Sequence, residues 1–154
     1  MQLLEEKFPQ LAFPPVEVRL REDGDQIKIF DPARKKWLVL TPEEWVRQHA
    51  LHFLTSTLDY PSALVRTEGG QKVNGMARRF DVLVYNREGA PHLLMECKAP
   101  TVKITQDTFE QISAYNLTQR ASILVVTNGL QHYCCRVHFT EKRYEWLSEI
   151  PRFG

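Results

Sequence analysis

The sequence predicts an α/β fold in which a central mixed sheet is flanked by helices and preceded by an antiparallel β-meander. Three observations predict it. Residues 1–40 contain short alternating runs separated by turn residues, which is typical of antiparallel strands. Two amphipathic helical segments then separate apolar runs that are short enough to be strands. The composition, 43% hydrophobic and 25% charged over 154 residues, indicates one domain with one core.

Charge and composition narrow the function classes. The formal net charge is +1, so the chain lacks the broad basic field of many DNA-binding proteins, although a local basic patch stays open. The start has no secretory pattern and no apolar run reaches about eighteen residues, so we expect a cytoplasmic protein that does not contact a membrane. The cysteines lack metal-ligand spacing and are expected to be reduced, buried thiols: Cys97, Cys134 and Cys135.

The N-terminal region, residues 1–40, is interpreted as an extension of the main domain. Asp23-Gly24 marks a turn between two of its strands. Three strands are predicted, at 16–21, 26–30 and 36–40. No chemistry is indicated here, and the meander is expected to cover the core or to pack against a partner.

The first helix is predicted from Thr41 to Leu58. Thr41 is its N-cap, and Glu44 stands at the third helical position, the spacing of a capping box. Its apolar residues fall on one face: Trp45, Val46, Ala50, Phe53, Leu54 and Leu58. At about 100° per residue, Glu43 lies roughly 60° from the centre of that face and Glu44 roughly 160° from it. We therefore predict that Glu43 leans toward the sheet and that Glu44 faces solvent.

The connection after this helix contains a strand predicted at 63–68 and a turn-rich segment at 69–75. That segment lacks the Gly-Lys-Ser/Thr ending of a phosphate loop, so no nucleotide triphosphate site is predicted. Lys72, Arg78 and Arg79 are candidate contacts to DNA phosphates, and ordinary solvated charges are the alternative.

The main candidate site lies in residues 80–100. Two apolar runs there are joined by a loop at 86–91 and are predicted to pair as a hairpin. Alternation places Glu96 and Lys98 on one face, and closure of the hairpin brings Asp81 near Glu96. Lys98 is the only apparent counter-charge for the two carboxylates, so a divalent cation and an anionic substrate would balance them. The alternative is that these charges are simply solvated at the strand ends.

The C-terminal part begins with a helix predicted at 105–117. Thr108, Gln111 and Tyr115 lie along one row of that helix. Asn128-Gly129 marks a tight turn. The remaining strands are predicted at 122–127, 131–139 and 144–146.

These motifs carry a family resemblance. Asp81, fourteen residues and then Glu96-Cys97-Lys98 resemble the PD-(D/E)xK nuclease motif, although Phe80 stands where the motif name has proline. The segments PEEWVRQ, QKVNG, ECKAP and TNGLQHYCC resemble the N-terminal domain of type I restriction enzyme R subunits, in a short stand-alone form, over residues 29–151. Gln111-x-x-x-Tyr115 resembles a signature of RecB-like nucleases, in which both side chains border the active site.

The resemblance implies a restriction-endonuclease-like core at residues 41–150 and a metal-dependent deoxyribonuclease that uses Mg²⁺, with Mn²⁺ as a substitute. Asp81 and Glu96 are implied as metal ligands, with the Cys97 carbonyl and Glu43 as further candidates. Related families place a glutamate four residues before an arginine of the first helix at the metal site. Here that spacing selects Glu43 and Arg47, and a favourable charge on the helix dipole is the alternative for Glu43.

The remaining roles follow from the same resemblance. Lys98 would position or deprotonate the attacking water, and Gln111 would orient Lys98 or the nucleophile. Tyr115 is a further candidate contact to DNA. The expected partners are DNA and either restriction-modification subunits or a second copy of the chain. The alternative function is a DNA-binding or protein-interaction module that is non-catalytic or activated by a partner.

Overall fold

The computed structural model of the protein describes residues 7–67 and 81–154. These residues form a three-stranded antiparallel sheet, a six-stranded mixed sheet and two α-helices. The α/β class and the N-terminal meander are therefore confirmed. None of the helices in the described part of the chain has the length and apolarity needed to cross a bilayer.

The elements have the following bounds. The helices are α1 (Pro42–His52), which a π-helical segment (Phe53–Thr57) continues, and α2 (Gln106–Gln119). The meander consists of β1 (Leu20–Asp23), β2 (Gln26–Asp31) and β3 (Lys36–Val39). The central sheet consists of β4 (Val65–Thr67), β5 (Val82–Tyr85), β6 (Pro91–Cys97), β7 (Ile123–Thr127), β8 (His132–His138) and β9 (Arg143–Leu147).

The strands of the central sheet follow one another in chain order, from β4 to β9. Only β6 and β7 are parallel neighbours among these strands, because α2 connects them as a crossover. The other neighbouring strands are antiparallel.

The two faces of the central sheet are covered by different helices. Val46 and Ala50 of α1 share one core with Met95 and Cys97 of β6, whereas Leu94 of β6 belongs to a second core beneath α2. The predicted alternation of β6 is thus confirmed. The three cysteines are free and buried, also as predicted.

The first strand lies later than predicted. The sequence favoured residues 16–21, but the ladder of β1 runs from Leu20 to Asp23 opposite Gln26 to Ile29. Val16 and Val18 are half-buried because they line a cleft of about 370 Å³ against α1 instead of joining the ladder. Alternation therefore reported the burial of Val16 and Val18 correctly but assigned it to the wrong kind of contact, and it was wrong for Leu20, which is exposed.

The position of Glu44 also differs from the prediction. Its main-chain N–H donates to Thr41 Oγ1 at 3.0 Å, so the N-cap is confirmed. However, its side chain is only 8% exposed, and the prediction that it faces solvent is wrong. The helical wheel assumed one buried face, whereas the cleft beside residues 16–19 and 30–33 is also lined by α1, and Gln48 and Leu51 are buried there.

Candidate functional site

The hairpin of β5 and β6 brings the two predicted acidic residues to neighbouring main-chain positions. Val82 pairs with Met95, and the main-chain N–H of Asp81 donates to Met95 O at 3.1 Å, so Asp81 stands next to Glu96 one residue farther on. Lys98 follows the end of β6 and donates its main-chain N–H to Thr127 O at 2.8 Å. The three motif residues therefore meet at one end of the central strands.

Asp81 is fully buried, and both oxygens of its carboxylate meet donors. Oδ2 accepts the main-chain N–H of Cys97 at 2.7 Å. Oδ1 lies 3.3 Å from Nη2 of Arg47 on α1. These contacts restrict rotation of the carboxylate and turn it toward the α1 side of the sheet.

Arg47 joins two elements through one guanidinium. Its Nη2 also lies 3.3 Å from Oε1 of Glu44, whose Oε2 accepts from Gln48 Nε2 at 2.8 Å. Burial works to lower the pKa of Arg47, but the Asp81 and Glu44 carboxylates outweigh it and hold that pKa above its usual value. We call Gln48, Glu44, Arg47 and Asp81 the buried ionic network. The expectation that Lys98 is the only counter-charge was wrong, because Arg47 serves Asp81.

The Glu96 and Lys98 side chains form a second ion pair of the same length. Lys98 Nζ lies 3.3 Å from Glu96 Oε1, and the two side chains are 29% and 17% exposed. By alternation with Leu94, this pair lies on the α2 side of the sheet. In contrast to the buried network, it can be reached from solvent.

The other predicted residues differ in burial and in their contacts. Glu43 is half-buried and adds to the negative charge around Arg47. Gln111 is exposed on α2, and the half-buried Tyr115 accepts from Gln119 Nε2 at 3.1 Å through its hydroxyl. Three further candidates lie outside the described residues: Lys72, Arg78 and Arg79.

Cys97 contributes main chain, not a thiolate, to this centre. Burial, followed by the nearby Asp81 carboxylate, raises the pKa of the Cys97 thiol well above its usual value. The thiol therefore stays neutral on the α1 side, while the N–H holds Asp81. A role as metal ligand through its carbonyl remains a prediction.

Sequence reasoning missed Glu44 and Gln48 as members of the site. A signal was present, because Glu44 precedes Arg47 by three residues and Gln48 by four, and such residues are neighbours on a helix. The capping-box interpretation had assigned Glu44 another role. Its carboxylate binds Arg47 and Gln48 instead.

The donor chemistry of the site can be compared with that of a metal centre. No group of three or more His, Cys, Asp or Glu side chains within residues 7–67 and 81–154 is arranged to hold a metal ion. Asp81 and Glu96 nevertheless carry hard carboxylates at neighbouring main-chain positions, with that of Asp81 turned toward α1 and that of Glu96 on the α2 side. Mg²⁺ is usually held by one or two carboxylates together with waters and substrate phosphate, so the donor types fit Mg²⁺.

Comparison with known protein families shows to which family the chain belongs. Residues 42–151 match the family model described as type I restriction enzyme R protein N terminus (HSDR_N). The chain belongs to this family. The match begins at the first residue of α1 and ends after β9, so this R-protein N-terminal domain comprises both helices and the central sheet, whereas the meander precedes it.

Among solved structures, this R-protein N-terminal domain is similar to the fragment structure of a putative HsdR subunit of a type I restriction enzyme from Vibrio vulnificus YJ016. The identity is 24% and the TM-score is 0.38, over 57% of this chain and 16% of that chain. The chain thus spans a small part of the protein it resembles. No curated protein matches the sequence.

Proposed function

We propose that this R-protein N-terminal domain is a metal-dependent DNA endonuclease of the PD-(D/E)xK superfamily, with a restriction-endonuclease-like fold, that hydrolyses phosphodiester bonds. The observation that supports it most is the position of Asp81 beside Glu96-x-Lys98 at the end of β6. The restriction-enzyme family of the chain makes DNA the natural substrate class.

Mg²⁺ would be held by Asp81 and Glu96, with the Cys97 carbonyl and Glu43 as further candidate oxygen donors. When bound, the ion would supply Lewis-acid chemistry, which favours attack of water on the phosphoryl group. Lys98 is partly exposed and close to Glu96, so its ammonium can approach a bound phosphate and offset developing negative charge.

The other members of the buried ionic network, Arg47, Glu44 and Gln48, would position Asp81 without touching substrate. Arg47 approaches Asp81 from α1, and the Cys97 N–H approaches it from β6, so two different elements set the orientation of one carboxylate. Gln111 and Tyr115 on α2 are the candidate contacts on the opposite side of the sheet. Gln111 would orient Lys98 or the nucleophile, and Tyr115 would contact DNA.

A second function is favoured by the burial of Asp81. Its side chain has no exposed surface, and Arg47 and the Cys97 N–H already engage both oxygens. A metal ion at Asp81 would have to share an oxygen with Arg47 or displace it. The second candidate is therefore a DNA-binding or protein-interaction module whose nuclease centre is idle until a restriction-modification subunit or a second copy of the chain rearranges it.

Nicking of supercoiled plasmid with Mn²⁺ tests the enzyme. We expect nicking by the wild type and by Lys142→Ala, which removes an exposed lysine from the β8–β9 turn, and none by Lys98→Ala. An intact plasmid with the wild type would favour the idle module. Nicking that survives Lys98→Ala would exclude Lys98 from the chemistry.

A further inference from the structure

One face of the meander combines cations with aromatic rings. In the ladder, Arg21 stands opposite Lys28 and Phe30 opposite Trp37, and the Phe30 N–H donates to Arg19 O at 2.9 Å. Alternation therefore places these five side chains on one face, which we call the cationic face. The other face turns inward, since Ile29 and Asp31 of β2 are fully buried.

The two arginines of the cationic face are held against the rings. Arg19 Cζ lies 4.5 Å from the centre of the Phe30 ring and 5.4 Å from that of Trp37, and Arg21 Cζ lies 4.5 Å from the centre of the Trp37 ring. Both arginines are exposed. A guanidinium stacked on a ring keeps its N–H edge available, and fewer rotamers are lost when that edge binds a ligand.

The charge on this face is incompletely balanced. Lys28 Nζ lies 2.9 Å from Asp23 Oδ2, and the hydrogen bond from Lys28 lowers the pKa of the Asp23 carboxyl. No carboxylate in the described part of the chain lies within ion-pair distance of Arg19 or Arg21. On this face the three cations stand against one carboxylate, that of Asp23, although the whole chain carries only +1.

We propose that the cationic face binds the phosphate backbone of duplex DNA. Planar guanidiniums with free N–H edges match phosphate oxygens, and such contacts position a protein without reading sequence. The choice of DNA over an acidic protein rests on the proposed function. The face lies before residue 42, outside the segment that matches the family, so it is a separate anchoring surface carried by the extension of this chain.

Binding of a short labelled duplex, measured by fluorescence anisotropy over a range of salt concentrations in EDTA, tests the proposal without cleavage. The test variant is Arg19→Gln/Arg21→Gln. The matched control is Lys36→Gln/Lys142→Gln, which removes the same charge from exposed positions outside the cationic face. We expect the arginine variant to bind about tenfold more weakly or worse, with a salt slope smaller by roughly 0.9 for each lost phosphate contact. The control should bind like the wild type.

A second variant, Arg19→Lys/Arg21→Lys, separates charge from folding. It keeps both charges and should keep the salt slope of the wild type, and a slope as low as that of the glutamine variant would overturn the proposal. Equal binding by the wild type and the glutamine variant, or no duplex binding by the wild type, would overturn it too. Because the assay contains no metal, selective loss of binding supports this surface even if plasmid nicking fails, and plasmid nicking with unchanged binding would reject the surface alone.

Discussion

The buried ionic network and the Glu96–Lys98 pair contain ion pairs of equal length that differ in their exposure to solvent. In both, nitrogen and oxygen lie 3.3 Å apart. The Arg47 and Asp81 side chains are 4% and 0% exposed, whereas those of Lys98 and Glu96 are 29% and 17% exposed. Removing one partner of a buried ion pair leaves the other charge buried and unpaired, which destabilises the fold. Near the surface, water solvates the charge that remains. The first pair therefore holds the orientation of Asp81 within the fold, and the second can be reached from solvent.

Of the substitutions considered, Arg47→Met should lower the free energy of unfolding the most. The variant leaves the Asp81 and Glu44 carboxylates buried without their shared guanidinium, so we expect a loss of about 3–5 kcal/mol in the free energy of unfolding. One carboxyl of the variant would then have a raised folded-state pKa. The folded state would bind more protons than the unfolded state, so the deficit should shrink as the pH falls.

Chemical denaturation at several pH values measures this effect. Arg152→Met is the control, because it removes the same group from an exposed pair with Asp59 and should cost no more than roughly 1 kcal/mol. A similar cost for both variants would mean that the buried network does not hold Asp81.

Glu44→Gln and Glu43→Gln compare the stability contributions of a buried and a half-buried glutamate in the first turn of α1. Glu44→Gln keeps the main-chain bond to Thr41 but removes the charge opposite Arg47, so we expect a loss of roughly 1–3 kcal/mol. Glu43→Gln changes a half-buried residue in the first turn and should cost no more than about 1 kcal/mol. Thermal denaturation of the two variants measures both losses of stability. A larger loss for Glu43→Gln would favour the helical-wheel prediction that Glu43, not Glu44, faces the sheet.

Glu96→Gln should have the smallest effect on the free energy of unfolding, within about 1 kcal/mol, because its ion pair is partly exposed. The same variant should abolish plasmid nicking if Glu96 holds the metal. Denaturation and nicking are measured on one preparation. A loss of stability as large as that of Arg47→Met would show that Glu96 belongs to the structural set.

The sequence predicted the main elements and the meeting of Asp81, Glu96 and Lys98, because both depend on local patterns. Alternation sets the faces of β6, and the loop at 86–91 sets the hairpin that carries Asp81 to Glu96. These features require knowledge of neighbouring residues only.

The environment of Glu44 and Arg47 could not be predicted in the same way. A helical wheel describes one helix and assumes solvent opposite its apolar face, but residues 16–19 and 30–33 approach α1 from distant parts of the sequence. The partner of Arg47, Asp81, lies 34 positions later in the chain. Burial by another element and pairing across the fold are properties of tertiary structure, and the spacing of Glu44 and Arg47 indicates only their own contact.

The most direct test of the central claim, that Asp81 and Glu96 act as one metal site, is calorimetric titration of Mn²⁺. The wild type should bind a single Mn²⁺, and Asp81→Asn and Glu96→Gln should each weaken binding by about tenfold or more, because each removes a hard anionic oxygen ligand. Glu141→Gln, at an exposed pair with Arg143, should bind like the wild type. Equal Mn²⁺ affinity in the wild type and in both site variants would contradict the account.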